Sequence, residues 1–174
     1  MNIFPSVHSL WLRTSLCLLF CLLVSTARAD GAVDPAKSVV EKLYRDYAWV
    51  VLIDNSGLVN LVDQPEAELS KYFTASLSNL ISKDHKCAEA AKDVCNLDFD
   101  PIYDSQDPSG THQLRIGQMN HASEVMVTFL PRWSSPNMTE LRFKMTDTST
   151  GWRIDDIYYR DHESLRSILQ QKGH

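Results

Sequence analysis

Two stretches of the chain concentrate residues that could do chemistry. NLDFDPIYDSQD, residues 96–107, sets Asp98, Asp100, Asp104 and Asp107 among Leu97, Phe99, Ile102 and Tyr103. Several hard oxygen donors in one segment suit calcium, which takes six to eight oxygens from a loop that wraps around it. The spacing departs from the EF-hand pattern, however. No glycine sits at its centre, no glutamate closes it, and proline follows both Asp100 and Asp107. A turn accounts for more of the residues. Leu97 and Phe99 alternate with Asp98 and Asp100, as in a short extended segment with one apolar face. An aspartate before proline starts a turn by accepting backbone N–H bonds on its carboxylate. The expectation is a segment that joins two halves of a fold, with no metal and no cofactor.

GWRIDDIYY, residues 151–159, is the second stretch. Strict alternation puts Trp152, Ile154, Asp156 and Tyr158 on one face and Arg153, Asp155, Ile157 and Tyr159 on the other. If Trp152 and Ile154 face a covered interior, Asp156 points in with them, where a carboxylate needs a partner or takes a raised pKa. Asp156, Trp152 and Tyr158 are therefore the candidate pocket residues. The architectural alternative is a buried Asp156 bonded to backbone N–H groups or to a tyrosine, and a bulge would exchange Asp155 for Asp156 on the inner side. His85, His112, His121 and His162 show no convincing partners at short range. No Gly-rich phosphate loop, GxSxG elbow or HExxH motif is present. Asn137-Met138-Thr139 matches a glycosylation sequon, and Trp133 in PRWSSPN is expected on a loop between strands.

The first 29 residues read as a secretory signal peptide. Arg13 supplies the positive charge, Leu16 to Val24 is a short unbroken apolar run, and Ala27-Arg28-Ala29 fits the cleavage pattern, which puts the cut between Ala29 and Asp30. The run falls short of the roughly 20 residues that span a bilayer. Phe20 before Cys21 is too large for a lipid-attachment site. The remaining chain, 30–174, is expected to be one domain, large enough to bury a core unaided. Loss of Arg13 and Arg28 takes the formal net charge from −5 to −7. That balance argues against nucleic acid and anionic membrane as partners.

Cys87 and Cys95 are the cysteines left after such a cut. An even pair in an oxidising compartment is most simply a disulfide, and no ligand spacing for zinc accompanies it. Residues eight apart in a continuous helix sit about 12 Å apart, whereas bridged Cα atoms lie within about 7 Å. The helix must therefore stop or bend between them, although AEAAKD is helix-forming.

These residues need a frame. Asp34-Pro35 is an N-cap followed by proline at the first helical position. Val39, Val40, Leu43, Tyr44 and Tyr47 then recur at helical spacing, so 35–50 is expected to be an amphipathic helix. A second helical region is expected from near Pro65 to about Lys86, with Leu69, Tyr72, Phe73, Leu77 and Leu80-Ile81 on its apolar side. THQLRIGQ, SEVMVTFL, ELRFKMTD and GWRIDDIYY are period-two runs separated by turn chemistry. A short closing helix follows Asp161, with Leu165, Ile168 and Leu169 apolar. Helices followed by antiparallel strands make an α+β domain, with a curved sheet and helices on one face.

LDFDPIYDSQD at 97–107, GWRIDDIYY at 151–159 and SLRSIL at 164–169 together resemble domain of unknown function 3828, a family of exported bacterial proteins. The resemblance covers nearly all of 30–174. It implies a fold similar to nuclear transport factor 2 (NTF2) and cystatin: long helices laid on the concave face of a strongly bent sheet, often with a pocket between. It implies no reaction and no catalytic residues.

The expected function is that of a non-enzymatic periplasmic binding or interaction domain. One form holds a small ligand in the cone against Trp152, Tyr158 and Asp156. The other caps an envelope protein, as an immunity-type inhibitor does. A homodimer through the open sheet face is compatible with either. The alternative is a small hydrolase or isomerase with Asp156 as general acid or base.

Overall fold

In a computed structural model of the protein, residues 34–52, 59–108, 110–119, 121, 123–131, 137–161 and 163–171 are described. The signal segment with its Ala29–Asp30 cut, Trp133 and His162 lie outside them.

Helix α1 (Pro35–Tyr47) begins as its sequence demands. Asp34 caps it by accepting from Ala36 N–H at 3.0 Å, and Pro35 occupies the first turn. It ends three residues earlier than the periodicity predicts, tightening into a 3₁₀ turn (Ala48–Val51). A second 3₁₀ turn (Leu61–Asp63) leads to the short α2 (Glu66–Leu69), and α3 (Ala75–Ala91) follows after a break. The sequence predicts one helical region here. The break arises because Tyr72–Thr74 bonds outward: Ile154 N–H donates to Tyr72 O at 2.8 Å and Thr74 N–H to Ile154 O at 2.9 Å. Phe73 thereby forms a parallel bridge with Ile154 and enters the core.

Four antiparallel strands, β1 (His112–Gln118), β2 (Glu124–Leu130), β3 (Thr139–Thr148) and β4 (Gly151–Tyr158), pair in chain order. In β2 and β3 the alternation works as the sequence predicts. Val125, Val127 and Phe129 of β2 and Leu141, Phe143 and Met145 of β3 are buried on one side, where α1 packs across the sheet. The short α4 (Leu165–Leu169) packs against β4 and α3. The chain is thus an α+β protein with a four-stranded antiparallel sheet and helices.

Cys87 and Cys95 are bonded, with Cα atoms 6.0 Å apart. Helix α3 runs past Cys87 and stops at Ala91, where Lys92 turns left-handed at φ 53°. Beneath the loop the buried Asp84 accepts from Asn96 N–H at 3.0 Å and Leu97 N–H at 3.2 Å. The disulfide is thereby a clamp on the segment that leads into the acidic turn. Replacing both cysteines by serine should lower unfolding stability by about 2–3 kcal/mol in the chain-entropy picture. Urea denaturation of the variant beside oxidised and reduced wild type checks this. Equal midpoints for all three would show that the clamp contributes nothing.

Candidate functional site

The acidic turn is built into the core. Asp100 Oδ1 accepts from Ile102 N–H at 2.9 Å, and Asp100 N–H donates to Ser105 O at 2.8 Å, which closes the loop on itself. Asp104 takes the left-handed conformation at φ 51° that the reversal needs. Pro101, Ile102 and Tyr103 are buried. The Tyr44 hydroxyl of α1 donates to Ile102 O, and the Tyr159 hydroxyl donates to Pro101 O at 3.2 Å. Tyr103 meets Tyr44 and Phe129 edge-on, with centroids 5.6 and 5.8 Å apart. Asp98 turns outward to accept from Gln106. The aspartates do not point at a common centre, and among the described residues no three His, Cys, Asp or Glu side chains converge on one.

Burial has an electrostatic cost at this turn. Desolvation pushes the Asp100 carboxyl up to about 6, against the opposing hydrogen bonds from Ile102 and Tyr103. Burial likewise drives the Tyr44 and Tyr159 hydroxyls well above their ordinary value, with the Asp100 charge adding to it. These tyrosines stay protonated and stay donors.

Strand β4 departs from strict alternation. Met145 pairs with Ile154 but Lys144 pairs with Asp156, so Asp155 is an extra, bulged residue. The bulge separates the three pocket candidates. Trp152, half-buried, packs against the core, and Ile154 lies beside it. Beyond the bulge Ile157 faces the core, while Asp156 and Tyr158 lie opposite the exposed Lys144 and Arg142. The single face holding Trp152, Asp156 and Tyr158, expected from period two, is therefore not formed.

Each aspartate of the pair has its own task. Asp156 is buried, and its Oδ1 accepts from Ile157 N–H and Arg166 N–H, both at 2.9 Å, capping the start of α4. Asp155 gathers three elements: Lys144 of β3 at 3.1 Å, Arg166 of α4 at 2.8 Å and Thr74, the cap of α3, at 3.3 Å. Partial burial works to raise the Asp155 carboxyl, but the Lys144 bond and the Arg166 and Lys144 charges outweigh it and hold it below the usual range.

Aromatic and aliphatic side chains pack the helix-covered side of the sheet among the described residues. Tyr44, Phe73, Phe129, Phe143 and Ile154 are almost fully buried there. Clefts lie at the periphery. One of about 450 Å³ opens between α1 and α2, where Asp46 accepts from the Tyr72 hydroxyl and from Lys42. One of about 350 Å³ lies between α3, the disulfide and the end of α4. A third, about 250 Å³, lies on the outer sheet face and includes Met119, Met126, Arg142 and Tyr158. Tyr158 thus lines a cleft, on the side of the sheet away from the buried core residues.

Several contacts were invisible in the sequence. Arg142 lies over the Tyr158 ring, 4.6 Å from its centroid, a pairing that only the β3–β4 register creates. His85, for which the sequence offers no convincing partner at short range, meets Asp63 at 3.2 Å and Glu89 at 3.6 Å. The Glu89 partner was legible at i,i+4; Asp63 required the fold.

Removing the cap acceptor at 156 orphans two backbone donors. Asp156→Ala should cost about 2–3 kcal/mol, whereas Asp156→Asn, whose amide oxygen can still accept both, should lose less than about 1 kcal/mol. Denaturant melts of the two variants decide it; equal losses would mean that charge, not acceptance, is what the site needs.

Asp100 predicts a pH dependence. Its folded pKa is raised from 3.8 to about 6, so the folded state binds the proton more tightly. Its contribution is intact below pH 4 and is lost as pH rises through 6, a fall of about 3 kcal/mol. Asp100→Asn should flatten that fall and melt higher than wild type at pH 7, with little difference near pH 4. Parallel stability curves for the two proteins from pH 4 to 7 would contradict it.

No family model matches the chain, and no curated protein matches it. Among solved structures it is similar to a protein of unknown function from Bacteroides thetaiotaomicron, at 19% identity and a TM-score of 0.44, over 71% of this chain and 88% of that one.

Proposed function

We propose that this protein is an exported, non-enzymatic binding domain of the periplasm that meets an envelope partner through the open face of its sheet. In the same reading it has the NTF2-like, cystatin-like cone and belongs with domain of unknown function 3828. One observation carries the choice of surface. The outer sheet face has a groove containing methionine, tyrosine and arginine, residue types enriched where proteins meet. The helix-covered face is packed with its own aromatic side chains, which weighs against a small ligand in the cone.

Other features support the same reading. The Cys87–Cys95 bond suits an oxidising compartment, and no described helix is long and apolar enough to cross a membrane. Asp156 is committed to two backbone N–H groups, which favours binding over hydrolysis or isomerisation by that residue.

A photocrosslinking residue tests the surface directly. Placed at Thr128 on the outer face and expressed in the periplasm of the native host, it should give one discrete crosslinked species. The same residue at Lys86, exposed on α3, should give none. Crosslinks from 86 and not from 128, or from neither, would overturn the choice of face.

A further inference from the structure

The outer sheet face carries a row of residues that crosses all four strands. Gly117 lies opposite Met126, Met126 opposite Arg142, and Arg142 opposite Tyr158. Neighbours in such a row sit about 5 Å apart, so Arg142 stands between a thioether and a phenol ring. At Gly117 the row has a notch: a Cβ added there would meet nothing within 4 Å.

The cations of this face differ in what they already hold. Arg160 pairs with Glu140 at 2.6 Å, and Lys144 pairs with Asp155 at 3.1 Å. Arg142 lies over the Tyr158 ring and is ion-paired with Glu124 at 3.6 Å, a separation too long for a hydrogen bond. Among the described residues its N–H donors are unused.

We propose that the groove takes the C-terminal carboxylate of a partner polypeptide whose last residue is apolar; this rests on the sheet-face reading above. A guanidinium offers its N–H donors as a planar fork that matches the two oxygens of a carboxylate. Stacking on Tyr158 sets the plane of that fork beforehand, so little rotamer freedom is lost on binding. Carboxylate and side chain of a last residue leave the same Cα, so both fit a groove of about 250 Å³, the side chain against Met119 and Met126. Methionines adapt to different apolar shapes. Glu124 and Glu140 on the same face disfavour additional negative charge, which selects a single carboxylate over a phosphate or a diacid.

The test uses protein labelled at its methionine methyls, with N-acetyl-leucine as probe and N-acetyl-leucinamide as its uncharged control. The Met119 and Met126 signals should move saturably with the acid, while that of Met145, buried on the opposite face, stays in place. The amide should bind about tenfold more weakly or worse, and Arg142→Met should weaken the acid by at least about tenfold without changing the melting temperature. Gly117→Phe, which leaves every charge in place, should weaken acid and amide alike by filling the notch. Equal shifts from acid and amide, or wild-type binding by Arg142→Met, would overturn the proposal. If the methyl signals stay still while the crosslink from position 128 forms, carboxylate recognition is wrong and the sheet-face contact stands. If the acid binds and no crosslink forms, the face is an anion site and the partner reading falls.

Discussion

Two tyrosine hydroxyls, one from the first helix and one from just beyond the last strand, donate to the consecutive carbonyls of Pro101 and Ile102. Buried carbonyls without donors would cost on the order of 1–3 kcal/mol each, so the turn enters the interior only because Tyr44 and Tyr159 meet it there. That placement brings Tyr103 into the aromatic cluster between α1 and β2. It also fixes where the chain leaves the helical half and enters the sheet. The disulfide and Asp84 act on the same segment from the other side, holding the approach from α3. Two of the four aspartates serve the backbone, Asp100 closing the turn and Asp104 taking the left-handed position, while Asp98 accepts from a glutamine side chain.

A single extra residue in β4 governs the other half of the molecule. Before Asp155 the strand shows Ile154 to the core and shares its edge with Tyr72–Thr74. After it, Asp156 receives the first turn of α4 and Tyr158 lies under Arg142. Asp155 itself ties β3, α3 and α4 together. The bulge therefore links edge closure, docking of the last helix and composition of the outer face.

Strands β2 and β3 were legible because each has one buried side, which writes period two into Val125-Val127-Phe129 and Leu141-Phe143-Met145. The Cys87–Cys95 bond was legible because helix geometry forbids it unless the helix ends, and it does end at Lys92. The break at Tyr72–Thr74 was hidden because its cause is a strand 80 residues away in sequence. The bulge, raised from the sequence only as an alternative, could not be decided there for a related reason. Alternation assigns faces only while the ladder is regular, and Asp155 and Asp156, being identical, offer no side-chain difference to betray which is extra. The row Gly117-Met126-Arg142-Tyr158 exists only in the register of three strand pairs.

The two margins of the sheet are treated differently. Beyond β4 the Ile154 N–H and C=O are taken by Tyr72 and Thr74. At β1 no further strand is added among the described residues, but the ladder shifts between His112 and Arg115, and Gln113 adopts φ 56°. A margin bridged at one residue and a kinked one give an incoming strand a poor flat template. Edge-to-edge stacking of copies into an open-ended ribbon is disfavoured at both of these margins. Any self-association is steered to the broad faces, where a twofold pairing buries the same patch on both partners and then stops growing.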